Sequence, residues 1–218
     1  MKDIIKYIRQ IPGWLVMLAI FGVLYLTGLH TQVIGQAQRL ILATGLMKPK
    51  VPVSSQTGPE GAGRSAAQPK GLAPFPLADY DFTLQDLEGK TVTLESLQGK
   101  VVFMNFWATW CPPCLAEMPD IQNLYEKVKS DKIAFVMVSL DENPVKVKNF
   151  IRRHGYTFPI YRPGGHIPPL YGSGNVIPTT YVLSPDGYVV VQKEGMAQYD
   201  TREFRDFLSR MAQTGKAL

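Results

Sequence analysis

The only two cysteines of the 218-residue chain lie three residues apart, in Trp110-Cys111-Pro112-Pro113-Cys114. They follow an apolar run, Val101–Phe106, which is typical of a buried strand. A strand that leads into C-x-x-C and then into a helix is the layout of a dithiol/disulfide redox centre. At positions i and i+3 both sulfurs share one helix face, and the helix dipole favours a thiolate at the first.

Two other interpretations of the cysteine pair are weaker. A disulfide that closes so short a loop removes little chain entropy, which makes it a poor structural staple. A zinc site needs about four ligands, and no second C-x-x-C or H-x-x-x-H motif accompanies this pair. The sequence therefore predicts a redox-active Cys111–Cys114 disulfide, with no metal and no other cofactor.

The N-terminal third predicts a membrane anchor followed by a tether. Residues 1–10 are basic and are expected in the cytoplasm, and residues 11–29 contain no charge and are long enough to cross a bilayer. Residues 30–47 have a helical apolar period and predict a juxtamembrane helix. Residues 48–78 are rich in Pro and Gly and predict a linker to one globular domain at 79–214. The alternative is a cleaved signal peptide, for which Gly35-Gln36-Ala37 is a weak cleavage site.

The net charge of +5 does not indicate a nucleic-acid partner. The one local basic group lies on a predicted helix without interleaved aromatic residues, which is typical of a solvated helix face. It consists of Lys146, Lys148, Arg152 and Arg153.

The globular part predicts the order hairpin, β, α, β, α, β, β, α. Each hairpin is centred on a four-residue turn with glycine, and Asn143 with Gly155 predicts the two ends of the middle helix. The predicted elements are a hairpin around 87–90, strands at 101–106, 133–139 and 158–161, helices at 111–129 and 144–154, a hairpin around 184–187, and a last helix capped by Asp200 with Glu203.

The residues Phe106–Cys114, the element order and Ile177-Pro178-Thr179-Thr180 resemble the thioredoxin superfamily. The N-terminal hairpin, the predicted anchor and Glu117 resemble its TlpA/ResA-like branch. The resemblance implies an α/β thioredoxin-like fold, with a central mixed sheet flanked by helices and an N-terminal hairpin extension. It also implies a thiol-disulfide oxidoreductase, single-pass in the bacterial inner membrane, with its domain on the periplasmic side.

The resemblance gives each motif residue an expected role. Cys111 matches the nucleophile, Cys114 the resolving cysteine, and Pro178, after Ile177, a cis-proline that faces the disulfide. Trp110, with Pro112 and Pro113, frames the site. Thioredoxins bury an aspartate where this chain has Asn105, and Glu117 matches the acid that the branch uses instead. The alternative for Glu117 is a solvated helix carboxylate.

The implied reaction reduces disulfides of client proteins, such as apocytochrome c during cytochrome c maturation. A membrane thiol donor is then required for re-reduction, because the chain contains no flavin or nicotinamide motif. Pro112 and Pro113 lack N–H groups that would stabilise a thiolate, which favours a reductase over an oxidase.

Two alternatives stay open. A peroxiredoxin-type thiol peroxidase shares the domain plan, but the Pro-x-x-x-Thr/Ser-x-x-Cys pattern is absent before Cys111. A copper-site reductant or chaperone for a respiratory oxidase is the other, with His166 in the loop before Pro178.

Overall fold

A seven-stranded mixed sheet forms the centre of the protein in the computed structural model, which describes residues 12–26, 75–174 and 176–217. The spatial order is β2-β1-β5-β4-β3-β6-β7. Strands β3, β4 and β5 are parallel, and the other neighbours are antiparallel. The strands are β1 (Thr83–Asp86), β2 (Thr91–Thr93), β3 (Val101–Trp107), β4 (Ile133–Ser139), β5 (Ile160–Pro163), β6 (Thr179–Leu183) and β7 (Val189–Glu194).

The described helices are α1 (Gly13–Leu26), α2 (Pro112–Val128), α3 (Pro144–His154) and α4 (Arg202–Thr214), with 3₁₀ turns at Leu94–Leu97 and Pro169–Gly174. The predicted ends of α3 are confirmed: the Asn143 side chain accepts from Val145 N, and Gly155 adopts the left-handed conformation. This conformation costs glycine little and terminates the helix. The element order that the sequence predicts is confirmed.

The two faces of the sheet bury separate apolar clusters. Because side chains alternate along a strand, Phe103 and Trp107 of β3 pack towards the helices, and Met104 and Phe106 pack on the opposite face. Asn105 has the same parity as Phe103 and Trp107, and it is also buried. The alternation therefore places a polar amide in the apolar layer between the sheet and the helices.

Strand β5 differs from the prediction by two residues. The apolar pattern predicts a strand at 158–161, whereas the observed strand is Ile160–Pro163. It is held on one side by β4 and on the other by β1, where Tyr161 pairs with Asp86 and Pro163 with Leu84. Phe158 is buried in the core cluster ahead of the strand. The bounds of this strand therefore follow its pairing with both β4 and β1 rather than the local apolar pattern.

The cap predicted for the last helix is wrong. Thr201 caps α4, since its Oγ1 accepts from Phe204 N at 3.2 Å. Asp200 instead forms ion pairs with Lys127 of α2 and Arg205 of α4. These two cations hold the Asp200 carboxylate, and the neighbouring threonine caps the helix.

The predicted N-terminal segments are only partly covered by the described residues. Helix α1 has 14 residues and lies inside the predicted span 11–29. In the part of the chain that the structure describes, no helix has both the length and the apolar character needed to span a bilayer. Residues 1–11 and 27–74, with the predicted juxtamembrane helix and most of the linker, lie outside the described residues. At the linker's end, Val189 N donates to Pro76 O, and Ala78 N donates to Gly187 O.

Candidate active site

Cys111 and Cys114 form a disulfide at the N-terminus of α2, with their Cα atoms 5.3 Å apart. Cys111 is the N-cap residue, and its Sγ accepts a hydrogen bond from Cys114 N at 3.3 Å. Pro112 and Pro113 occupy the first two helical positions. Cys111 is 4% exposed and Cys114 is 0% exposed. Cys111 is therefore the more exposed of the two cysteines, although both are buried.

The cis peptide bond Ile177–Pro178 lies at the sheet edge from which the cysteine loop departs. Thr179, the next residue, pairs with Phe106 of β3. Ile177 is half-buried and packs against the cluster that contains both cysteines. The structure therefore brings the predicted proline segment to the disulfide end of the sheet.

Two apolar side chains stand out from the protein near this end of the sheet. Trp110, next to Cys111, is 52% exposed, and Val176, next to Ile177, is 51% exposed. Both flank residues of the site, so a partner segment that approached the disulfide would meet apolar surface.

A buried carboxylate holds the loop that precedes Cys111. Asp141 accepts from Thr109 N at 2.7 Å, from Thr109 Oγ1 at 2.6 Å and from Ser139 Oγ at 3.0 Å. Leu140 N also donates to Trp107 O at 2.9 Å. These bonds connect the end of β4 to residues 107–109, and so fix the path of the chain just before Cys111. Asp141 was not singled out in the sequence because its partner lies 32 positions away.

Glu117 is buried one turn beyond Cys114 on α2, with 1% of its surface exposed. Its Oε1 accepts from Asn105 Nδ2 at 2.9 Å, and its Oε2 accepts from Ala197 N at 3.2 Å. Burial raises the pKa of Glu117 to about 8, although these two donors act in the opposite direction. The burial excludes the solvated-carboxylate alternative for this residue.

The Asn105–Glu117 contact continues into a buried chain of hydroxyl groups. Asn105 Nδ2 also donates to Thr180 Oγ1 at 2.8 Å, and Tyr199 Oη donates to the same oxygen at 2.6 Å. Burial raises the pKa of Tyr199 well above its ordinary value, and the nearby Glu117 carboxylate raises it further. Tyr199 lies outside every sequence motif, and Thr180 is the last residue of the Ile177–Thr180 motif, which predicted no role for its hydroxyl group.

The segment that supplies Ala197 is fixed by a second carboxylate of α2. Asp120 accepts from Tyr199 N and, at 2.9 Å, from Asp200 N. Burial raises the pKa of Asp120 above its ordinary value. Glu117 and Asp120 therefore hold the 197–200 segment against α2 from two successive positions.

The histidines do not assemble a metal site in the described residues. His154 and His166 are exposed. His154 Nδ1 lies within hydrogen-bond distance of Phe150 O, at 2.9 Å. His30 lies outside the described residues. Within the described ranges, no group of three or more His, Cys, Asp or Glu residues could hold a metal ion.

Comparison with known proteins identifies the family. The model of the AhpC/TSA family matches residues 78–192, more than half of the chain. The thiol-disulfide oxidoreductase ResA of Bacillus thuringiensis strain Al Hakam is 42% identical over 113 residues, 51% of this chain and 65% of that protein. The ResA of Halalkalibacterium halodurans is 37% identical over 130 residues, 59% of this chain and 73% of that protein. The chain belongs to the AhpC/TSA family, in its ResA-like branch.

Solved structures agree with the thioredoxin-like fold. A thiol:disulfide interchange protein of the thioredoxin family from Chlorobium tepidum TLS superposes with a TM-score of 0.50 at 26% identity. The match covers 69% of this chain and 99% of that one. The resemblance to the thioredoxin superfamily is confirmed. The match to the ResA of Bacillus thuringiensis strain Al Hakam spans only 65% of the length of that relative.

The raised pKa of Glu117 predicts that stability falls as the pH rises. Between the ordinary value of 4.5 and about 8, the folded chain holds a proton that the unfolded chain has lost. The contribution of Glu117 to the free energy of unfolding is therefore complete below pH 4.5 and lost above about pH 8. Between these values the free energy of unfolding falls by up to about 1.4 kcal/mol per pH unit. Urea unfolding at pH 5, 6 and 7 should show this slope in the wild type.

Glu117→Gln is the matched control because it keeps the shape of the side chain and removes the titration. The amide nitrogen of the glutamine can face the Ala197 N–H, which places two donors against each other. A further loss of stability that does not depend on pH is therefore expected. Asp120 titrates in both proteins, so the difference between them isolates the titration of Glu117 together with its coupling to Asp120. Parallel stability curves for the two proteins would show that Glu117 is ionised throughout this range.

Proposed function

We propose that this ResA-like protein is an extracytoplasmic thiol-disulfide oxidoreductase that reduces disulfides of client proteins. The observation that carries the proposal is the geometry of Cys111, which is the more exposed of the two cysteines and caps α2, with a buried titratable acid one turn beyond Cys114. Relatives named thiol-disulfide oxidoreductase support the same chemistry.

In the proposed reaction, the Cys111 thiolate attacks a client disulfide and forms a mixed disulfide, and the first client sulfur leaves and takes a proton. Cys114 then attacks Cys111 Sγ and releases the second client sulfur as a thiol. The two cysteines lose two electrons to the client, the proton of Cys114 passes to Glu117, and the two client thiols take their protons from the solvent. A membrane thiol donor is the proposed source of electrons that restores the dithiol.

Glu117 is the proposed proton partner of Cys114. The carboxylate receives the proton of Cys114 as the mixed disulfide is resolved, and returns it when the disulfide is reduced again. A pKa of about 8 in the disulfide form means that Glu117 holds this proton at neutral pH. An acid whose pKa lies near that of a thiol, about 8.5, exchanges a proton with it at little free-energy cost.

Apocytochrome c is the proposed client class, and the exposed apolar residues Trp110 and Val176 provide a surface for an extended segment beside the disulfide. The cis-proline segment at Ile177–Pro178 is the proposed backbone contact for that segment. The redox-active disulfide is the only redox group that the proposal requires.

The peroxidase alternative is disfavoured by the position of Thr109. Its hydroxyl donates to Asp141 at 2.6 Å, so its proton is already engaged away from Cys111. Because the chain matches the AhpC/TSA family, peroxide consumption should also be measured, since it separates a peroxidase from a disulfide reductase.

The function is tested with an oxidised peptide that carries C-x-x-C-H, the sequence of c-type haem attachment. The reduced protein should convert the peptide to its dithiol, and Cys114→Ala should accumulate a mixed disulfide with the peptide that Cys111→Ala does not form. Glu117→Gln should slow the resolving step by about tenfold or more and flatten its dependence on pH between about 5 and 8. Peroxide consumption without peptide reduction would establish the peroxidase alternative.

The reductive direction predicts a reduction potential below about −200 mV, nearer to that of thioredoxin than to that of strong periplasmic oxidants. An N-cap side chain accepts from the second or third helical N–H, and the second position here is Pro113. Pro113→Ala should therefore stabilise the thiolate and raise the potential by about 30 mV or more.

Pro112→Ala is the matched control for this measurement. The sequence predicts the same effect for both prolines, but the first helical N–H does not serve an N-cap side chain, so we expect a smaller change in the potential. Equilibration of both variants with glutathione buffers gives the potentials. A wild-type value near about −120 mV, which is typical of a strong oxidant, would contradict the reductase assignment.

We further propose that the N-terminal segment anchors the protein in the inner membrane, with the globular domain outside the cytoplasm. Support comes from the uncharged residues 11–29 behind a basic terminus, and from the exposed apolar side chains of Trp14, Met17 and Leu18 on α1. Protease added to spheroplasts should digest the domain. Release of the domain by osmotic shock would instead support a cleaved signal peptide.

A further inference from the structure

The buried amide of Asn105 has an uneven hydrogen-bond inventory. Its Nδ2 donates to Glu117 Oε1 at 2.9 Å and to Thr180 Oγ1 at 2.8 Å, which uses both amide protons. Its Oδ1 is buried without a hydrogen-bond partner among the described residues. A buried polar atom without a partner costs free energy, so an orphaned carbonyl beside a titrating acid requires an explanation.

The Thr180 hydroxyl shows the same imbalance. Its oxygen accepts from Asn105 Nδ2 and from Tyr199 Oη, so both of its lone pairs are used. None of the hydrogen bonds between described residues gives the Thr180 proton an acceptor. Because the amide nitrogen of Asn105 donates to both Glu117 and Thr180, this arrangement suits an ionised Glu117. It leaves the Thr180 hydroxyl proton without an acceptor among the described residues.

A half-turn of the Asn105 amide exchanges its donor for its acceptor without a change of shape. Oδ1 would then lie at the present position of Nδ2, within hydrogen-bond distance of both Glu117 Oε1 and Thr180 Oγ1. A protonated Glu117 would donate to Oδ1, and Thr180 would donate to the same oxygen. The chain from Tyr199 through Thr180 to Asn105 would then use every hydroxyl proton, and the amide N–H groups would take the place where Oδ1 now has no partner among the described residues.

We propose that Asn105 is a positioning residue whose carboxamide turns over with the protonation of Glu117, donating to the carboxylate and accepting from the carboxylic acid. The only covalent change is the loss or gain of the Glu117 O–H. The inference rests on the geometry of the disulfide form, and does not depend on the proposed function.

Other groups around Glu117 set where this exchange occurs on the pH scale. Burial is the largest cause of the shift of its pKa to about 8, while Asp120 on α2 raises that pKa and Lys193 of β7 lowers it. Tyr199 faces Glu117 from the segment before α4 and stays protonated, because burial raises its own pKa well above the ordinary value. Cys111 and Cys114 do not titrate while they are joined as a disulfide.

The proposal is tested by NMR on the oxidised full-length chain, labelled with ¹³C and ¹⁵N at Asn and Glu, between pH 6 and 10. At pH 10 the Asn105 amide protons should show nuclear Overhauser contacts to the Thr180 methyl group and the Glu117 side chain. At pH 6 these contacts should be lost, with the same midpoint as the Glu117 carboxyl carbon. In Glu117→Gln, the Asn105 contacts should not change with pH.

Asn105→Leu provides a second measurement. If the amide serves both forms of Glu117, its removal should move the titration midpoint by less than about one pH unit. An amide fixed in the present orientation stabilises the carboxylate alone, so its removal would raise the midpoint by about one to two pH units. That rise, or amide contacts that stay constant from pH 6 to 10, would overturn the proposal. No client or electron donor is present, so failure of the reductase function would not affect either result.

Discussion

Burial of β3 on both faces is the constraint from which the site geometry follows. All seven residues of Val101–Trp107 are buried, and the strand lies between β4 and β6 with apolar layers above and below it. A strand fixed on four sides cannot slip by one residue, because its side chains would then exchange faces. The cysteines follow this strand after a three-residue turn, so their position relative to β6 and α2 is inherited from the sheet.

The same constraint makes Asn105 and Glu117 costly to the fold. An amide and a carboxyl are held in a layer that would be better filled by apolar residues, and a buried charge without compensation is among the most destabilising features of a protein. Two donors to Glu117 offset part of this cost, and the raised pKa removes most of the charge at neutral pH. Stability alone therefore gives no reason for these residues, whereas the proposed proton exchange with Cys114 does.

Local signals made the cysteine motif, both hairpins and the ends of α3 predictable, because each depends on residues within a few positions of one another. The register of β5 and the cap of α4 were not predictable, since Tyr161 pairs with the distant Asp86 and Asp200 with the distant Lys127. Asp141, Thr180 and Tyr199 were missed for the same reason. Their role appears only when strands and loops distant in sequence are brought together, as Asn105 and Thr180 are across 75 positions.

The placement of Glu117 also separates two demands on the disulfide. In the proposed reaction Cys111 presents its sulfur to a partner, and any negative charge close to it would oppose formation of its thiolate. Glu117 lies one turn beyond Cys114, and as a neutral acid it adds no charge to the surroundings of the disulfide. The proposed exchange of its proton with Cys114 requires that the carboxyl be held in place. The bonds from Asn105 and Ala197 hold the carboxyl at both oxygens, so this buried polar group serves orientation first and stability second.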